Sequence, residues 1–378
     1  MEVNAHLPLC KNTVGILYYD YEMEGAALCG YLRSALGVDI IACSTIATVN
    51  NKDGYRDMVA TLTLLTADDC EFHLGVTRAL NDENVLDSLQ ETFTNTKKNA
   101  KMDIGLMYTW LPCSTNIIFD EYIGAFSKMA GDVPIIGGVP TDLGCAERSM
   151  VFNGDFYAGR AIILLISGNI KPVIALASAA EPLSDRQETV TKANGTVIYE
   201  MEDKSFAEYI ESYGMNIREF ERNESRIFFQ KYPLLVYGAG DEGKNGEKQP
   251  AIRIIDSIDW KDGSGVAYAS IPQGAKASLA ILHKELIART VKQGLEELFS
   301  KIAKSGRQYA VILCITCAAR HFILNPEYAK EGDVIKKMVP DAYQLSGFYS
   351  YGELCPVAVE EGKACNRLHN GSIVFCAI

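Results

Sequence analysis

The feature that most constrains the fold of this chain is a change of apolar period part-way along it. Up to the glycine pair Gly137-Gly138, strand and helix patterns take turns. Residues 13–19 and 38–43 read as strands, and 104–110 and 133–136 repeat the pattern. Residues 22–36 read as a helix, with Leu28, Leu32, Ala35 and Leu36 on one face and Gly37 as its stop. Residues 83–95 and 117–129 read as two more helices. Residues 56–66 and 71–79 are expected to pair across the polar turn Asp68-Asp69. After the glycines come three short apolar runs, 150–153, 161–166 and 172–177, expected as a meander. Alternation followed by antiparallel strands predicts an α/β fold of mixed α+β type, with partly antiparallel sheets packed by helices.

A chain of 378 residues has room for two domains. The polar stretch 181–194 lacks a core pattern and reads as a connection. Ser205-Phe206-Ala207-Glu208 is a capping box, Gly214 closes that helix, and 216–224 adds a further helical turn or two. The expected domains are therefore 1–225 and 226–378. The second begins with a strand at 232–237, and 251–256 is expected to pair with 265–271. A long helix over 277–304 carries Ile287, Val291, Leu295, Leu298 and Ile302 on one face. Residues 309–315 are apolar on both faces, 327–338 reads as a helix and 372–377 as the last strand.

Charge and cysteine usage exclude several classes. The 48 acidic and 36 basic residues give a net charge of −12, which disfavours nucleic acid and anionic membranes as partners. The first residues hold Glu2 and no basic run, so no secretory signal is read. The longest apolar runs are far short of a spanning helix, so no membrane insertion is expected. The protein is expected to be cytoplasmic, and its 11 cysteines to be reduced thiols. Cys314 and Cys317 form a C-x-x-C, but on a strand they face opposite ways, and no second pair completes a zinc site. No metal is expected.

Several groups of residues are candidates for chemistry. Gly238-Ala239-Gly240-Asp241-Glu242-Gly243 fits G-x-G-x-x-G. It leads into a hydrophilic loop ending in Pro250 rather than into a helix, so a dinucleotide site is not expected. Gly137 and Gly138 end a strand just before Thr141 and Asp142. Backbone amides there suit a ligand carboxylate and Asp142 an ammonium group; the competing reading is a tight turn. Arg320 follows a buried strand and suits a carboxylate, the competing reading being an internal ion pair with Glu353. In Gly347-Phe348-Tyr349-Ser350-Tyr351-Gly352-Glu353, Tyr349 and Tyr351 share one strand face, and Glu353 is expected at the strand end beside Cys355-Pro356. That arrangement suits a pocket rim; a buried aromatic strand ended by a solvated Glu is the alternative. No G-x-S-x-G, H-E-x-x-H or P-loop is present, and no catalytic residue is assigned.

The segment 347–353, with the later His369-Asn370, resembles the C-terminal domain of FIST proteins. Ile135 to Asp142, Phe152-Asn153-Gly154, the apolar 161–165 run, the 205–214 segment and Cys314 to Arg320 resemble other parts of the family, in the expected order. At Cys43-Ser44-Thr45 the resemblance departs, because Ile46-Ala47-Thr48 replaces the family's Gly and Glu. The resemblance implies an intracellular sensor in signal transduction that binds a small, amino-acid-like molecule. The expected ligand-binding residues are Gly137, Gly138, Thr141, Asp142, Arg320, Tyr349, Tyr351 and Glu353. Output is expected through a signalling protein in trans, and a homo-oligomer is compatible with the reading. One alternative is an enzyme using Cys317 or Glu353. Another is a haem-based gas sensor using His321 or His369, although no cofactor is the principal expectation.

Overall fold

The computed structural model describes residues 9–113, 119–143, 148–218, 228–237, 250–360 and 363–378. Its centre is a mixed sheet in the order Val173–Ser178, Ser372–Ala377, Val311–Cys317, Gln344–Glu360, Ile135–Pro140, Ile104–Trp110, Ile162–Gly168 and Cys70–Val76. The strands alternate between two apolar faces. Leu313 and Ile315 enter one core while Ile312 and Cys314 enter another, and Val374 and Cys376 oppose Ile373 and Phe375 in the same way. A strand apolar on both faces needs cover on both.

One face is covered by a smaller sheet of Asn12–Asp20, Asp39–Thr45, Ala60–Ala67, Met150–Phe152 and Asp155–Phe156. Tyr18 stacks on Phe348 across this boundary at 4.9 Å. Helix Gly25–Leu36 covers the far side of the smaller sheet through Leu28, Leu32 and Leu36. The other face of the central sheet is covered by Val85–Lys97 and Phe119–Ala130 at one end and by the long helix Lys284–Ser305 at the other. The fold is thus mixed α/β, with helices outside two packed sheets.

Described strands between Glu181 and Ile281 form a third, antiparallel sheet with its own core around Phe206, Tyr209, Phe229 and Leu279. The capping box at Ser205 is present, with Glu208 N donating to Ser205 Oγ and Ser205 N donating back to Glu208 Oε2. Residue 225, the expected boundary, lies outside the described residues, as do 219–224 and the G-x-G-x-x-G segment. Both the central sheet and the third sheet take strands from either side of that position.

Four expectations about elements are corrected. Ala60–Ala67 and Cys70–Val76 do turn at Asp68-Asp69, but they enter different sheets, because each buries its apolar face against a distant strand. The expected meander is distributed in the same way: Met150–Phe152 pairs with Asp39–Thr45, Ile162–Gly168 with Cys70–Val76 and Ile104–Trp110, and Val173–Ser178 with Ser372–Ala377. Residues 188–194 are a strand rather than a connection. The long helix starts at Lys284, because Lys276–Ile281 is a strand pairing with Leu234–Tyr237.

Candidate functional site

The glycine pair and the tyrosine-rich strand meet. Ile135–Pro140 and Gln344–Glu360 are antiparallel neighbours, with Gly138 opposite Glu353 and Gly137 opposite Leu354. The glycines are required by close backbone approach. A Cβ at Gly137 would sit 1.8 Å from the Thr109 carbonyl oxygen, and its φ is +142°. Gly137→Ala is therefore expected to destabilise the fold by about 2 kcal/mol, measured by urea unfolding; an unchanged midpoint would show that the strand pair can spread.

Thr141 stitches three strands, accepting from Ile46 N at 2.8 Å and donating to the Tyr349 carbonyl at 3.3 Å. Asp142 accepts from the Cys113 thiol at 2.8 Å, and burial together with that carboxylate pushes the thiol pKa up to about 12. Tyr351 accepts from Leu143 N at 3.2 Å.

Arg320 and Tyr349 join through Glu331, a residue outside the sequence candidates. Arg320 Nε and Nη2 donate to Glu331 Oε1 at 2.8 and 2.6 Å, while Tyr349 Oη donates to Oε2 at 3.0 Å. Arg320 also donates to the Ile287 carbonyl and to Thr290 Oγ1. The partner of Arg320 is thus Glu331 on helix Lys330–Met338 rather than Glu353.

The strand does not end at Glu353; it continues through Cys355-Pro356 to Glu360, with a register shift on either side. Glu353 is fully buried and not at a rim. Its Oε2 accepts from Ser372 Oγ at 2.8 Å and Ser372 N at 3.3 Å, and Oε1 has no partner. Burial holds its pKa up at about 8, with Ser372, Cys317 and the Arg320 charge pulling the other way. The Cys317 thiol is itself pushed well above its ordinary value by burial, so it is not a thiolate at neutral pH. All the sequence candidates except Tyr351 are buried, and their polar atoms are largely engaged with neighbouring groups of the protein such as Cys113, Glu331 and Ser372.

An opening lies on the other side of the next strand. Glu353 is the cross-strand partner of His369 in Lys363–His369. His369, Asn370 and Arg367 line a cleft of about 310 Å³. Helix Phe119–Ala130 contributes Asp120 to it, the third sheet contributes Arg253, and the loop after its strand Ser264–Ala267 contributes Ser270. A cleft where two sheet units meet is a usual place for a small ligand. Asp120 Oδ2 accepts from Ser270 N at 2.7 Å and Ser270 Oγ at 2.8 Å, and its Oδ1 lies 3.7 Å from Arg253 Nη2. Arg253 Nε donates to the Ser270 carbonyl at 2.9 Å, which fixes the guanidinium in the wall. His369 Nε2 donates to the Cys355 carbonyl at 3.1 Å. Burial first, then the charges of Arg253 and Arg367, push the imidazole pKa down to about 4, so the ring is neutral. Asn370 is 1% exposed, and its Oδ1 has no hydrogen-bond partner.

A family model described as the FIST N domain matches residues 13–204, and one described as the FIST C domain matches 205–356. The chain belongs to the FIST family. FIST domains are associated with sensing in signal transduction. A search of curated proteins found no match. The two matched segments abut at Ser205, the N-cap of helix Phe206–Glu211.

The two candidate haem histidines of this FIST protein sit in different surroundings. His321 stacks on Tyr328 at 4.5 Å and on Tyr55 at 5.8 Å, and the cleft beside His369 mixes Arg253, Arg367, Asp120 and Asn366 with apolar residues such as Ile123, Leu176, Ile252 and Leu368. No group of three metal-ligating side chains occurs among the described residues, and no described helix is long and apolar enough to cross a membrane. The sequence reading did not select Asp120, Arg253 or Arg367. An arginine between two isoleucines at 252–254 was the one local signal, since charge in an apolar strand asks for a partner.

Proposed function

We propose that this FIST protein is an intracellular sensor that binds a small amino-acid-like molecule in the cleft between Arg253, Arg367, Asp120 and Asn370. The observation that carries this reading is one cleft lined by Arg253, whose guanidinium is held by the Ser270 carbonyl, by Arg367, and by Asn370, whose buried Oδ1 has no hydrogen-bond partner. A ligand carboxylate would take guanidinium donors, and a ligand ammonium group would donate to Asn370 Oδ1. The buried cluster of Gly138, Tyr349 and Glu353 backs the His369 strand, which makes it a rigid support for the cleft in this reading rather than its lining.

The cleft is built from the central sheet, a helix and the third sheet, so an occupant bridges two sheet units. Its differential affinity for the bridged arrangement shifts the population, and the altered outer surface is read by a signalling protein in trans. The test is titration calorimetry against a panel of amino acids. Arg367→Ala is expected to weaken the best ligand by about 10- to 100-fold, the range for losing one charge-assisted hydrogen-bonding group, with an unchanged melting curve. Unaltered affinity in that variant would remove the cleft from the proposal.

A further inference from the structure

Helices Val85–Lys97 and Phe119–Ala130 pack beside one another on the central sheet, and a groove of about 580 Å³ lies between their C-terminal ends. Its base is apolar, with Phe93 buried and Met129 half-buried. Lys97, Lys98 and Lys128 line it as well; all three are exposed, and no described lining residue is acidic. Lys97 Nζ lies 5.9 Å from the Phe93 ring centroid, and Lys98 Nζ donates to Asn95 Oδ1 at 3.3 Å. Among the described residues none of the three lysines is in an ion pair. A lysine in the last turn of a helix has an ordinary role, offsetting the negative end of the dipole. Two helix ends supply about −0.5 each, so three ammonium groups leave an excess of about two positive charges. Leu86, Gln90, Phe93 and Lys97 follow one another at gaps of four, three and four, which places them on one stripe of the helix about 16 Å long. Leu86 on that stripe is 57% exposed. Asp87 and Glu91 fall about 100° round the helix from it, and Asp132 follows the end of the second helix outside the lining.

We infer that this groove receives an acidic amphipathic helix of a partner protein. The apolar side of that helix lies on Leu86, Phe93 and Met129, and its carboxylates meet Lys97, Lys98 and Lys128. A small anion would use the lysines and leave the apolar stripe exposed. A second copy of this chain brings its own net charge of −12, and nucleic acid or an anionic membrane meets the same acidic remainder. The groove stands without the ligand reading above, but it adjoins the same machinery. Helix Phe119–Ala130 carries Asp120 into the ligand cleft and Met129 into the groove, about 13 Å apart along its axis. A partner seated here therefore touches an element of the cleft wall.

The experiment is fluorescence anisotropy on the full chain with three labelled synthetic peptides of about 15 residues, long enough to form a helix on the surface. The first has a leucine stripe at helical spacing and glutamate elsewhere, the second replaces each glutamate with lysine, and the third scrambles the first so that the stripe is lost. The first is expected to bind at least about 10-fold more tightly than either of the others, and more weakly as salt is raised. Lys97→Gln together with Lys128→Gln is expected to weaken it by about 3- to 10-fold, the range for losing two exposed charge pairs. Leu86→Ser is expected to weaken it by about 5-fold through lost apolar contact. All these side chains are exposed and outside the cleft, so the melting curve is expected to stay the same. Equal binding of the lysine peptide overturns the charge assignment, and equal binding of the scrambled peptide overturns the helix. Binding of the chain to phosphatidylglycerol vesicles, lost in the double lysine variant, replaces the partner helix with a membrane surface. Self-association lost in that variant replaces it with a second copy. Failure of all three peptides overturns the groove and leaves the ligand reading untouched.

Discussion

Glu331→Ala is expected to lower the unfolding free energy by about 3–5 kcal/mol, the range for breaking a buried ion pair by removing one partner. Glu331 is fully buried, and its two oxygens divide the work: Oε1 takes the Arg320 guanidinium, and Oε2 takes the Tyr349 and Thr316 hydroxyls. Removing it leaves Arg320 at 0% exposure without its counter-charge. Arg320 would retain only the Ile287 and Gly371 carbonyls and Thr290 Oγ1. Arg320→Met leaves the reverse defect, a carboxylate without its cation, and the same range is expected. The double variant Arg320→Met with Glu331→Leu should cost less than the sum of the single changes, because neither charge is then left alone. Urea unfolding of the four proteins measures this directly. Single changes costing under about 1 kcal/mol, or strict additivity, would show that the pair does not hold the helix Lys330–Met338 to the sheet as described.

Glu353→Gln is expected to change the pH dependence of stability. The folded-state pKa of Glu353 is held up at about 8 by burial, above the ordinary carboxyl value. A raised carboxyl pKa means that the folded protein keeps a proton which the unfolded chain gives up. Stability from this group is therefore fully present at acid pH and is lost as pH rises from the ordinary carboxyl range towards 8. Glutamine has no proton to lose. Unfolding free energies of the variant and the parent should thus diverge in the variant's favour by on the order of 3 kcal/mol between pH 5 and pH 8. At pH 5 the variant should be equal to the parent or slightly weaker, since the amide must replace the contacts to Ser372 and the Cys317 thiol. Parallel curves over that range would mean that Glu353 is ionised in the fold and that a partner supports its Oε1.

The sequence made legible those features that are set by near neighbours. The two-sided apolar pattern of 309–315 announced a buried strand, 372–377 read as the last strand, and the face of Ile287, Val291, Leu295, Leu298 and Ile302 announced the long helix. Gly37, in the left-handed region at φ 69°, stops its helix as read. Which sheet a strand joins was not legible. Ala60–Ala67 and Cys70–Val76 are two residues apart, yet each pairs with a distant strand, because the register that buries each apolar face lies elsewhere. Residues 188–194 are polar because much of that strand faces solvent, which disguised it as a connection. Lys276–Ile281 carries four helix-favouring residues, and it is pairing with neighbours such as Leu234–Tyr237 that makes it a strand.

The site divides in the same way. The motif residues Gly138, Tyr349 and Glu353 were visible as a group, and they do meet. Their burial was not visible, because a glycine needed for close packing and a glycine needed at a ligand turn look alike in sequence. Asp120, Arg253 and Arg367 carry no common spacing, and only the folded chain brings them to one cleft.

The interleaving of early and late strands in the central sheet also governs how the polypeptide emerges during synthesis. Ile135–Pro140 is one flank of the slot that Gln344–Glu360 fills, and among the described strands Val173–Ser178 pairs only with Ser372–Ala377. Roughly 200 residues of translation separate the flank from its filler, which is about 10–40 s at ordinary ribosome speeds. For that interval the nascent chain presents an apolar border with unpaired amides and carbonyls, the surface on which strands of other molecules dock. Delivery of this protein into its native state is therefore governed by whatever shields that border until the last strand leaves the exit tunnel.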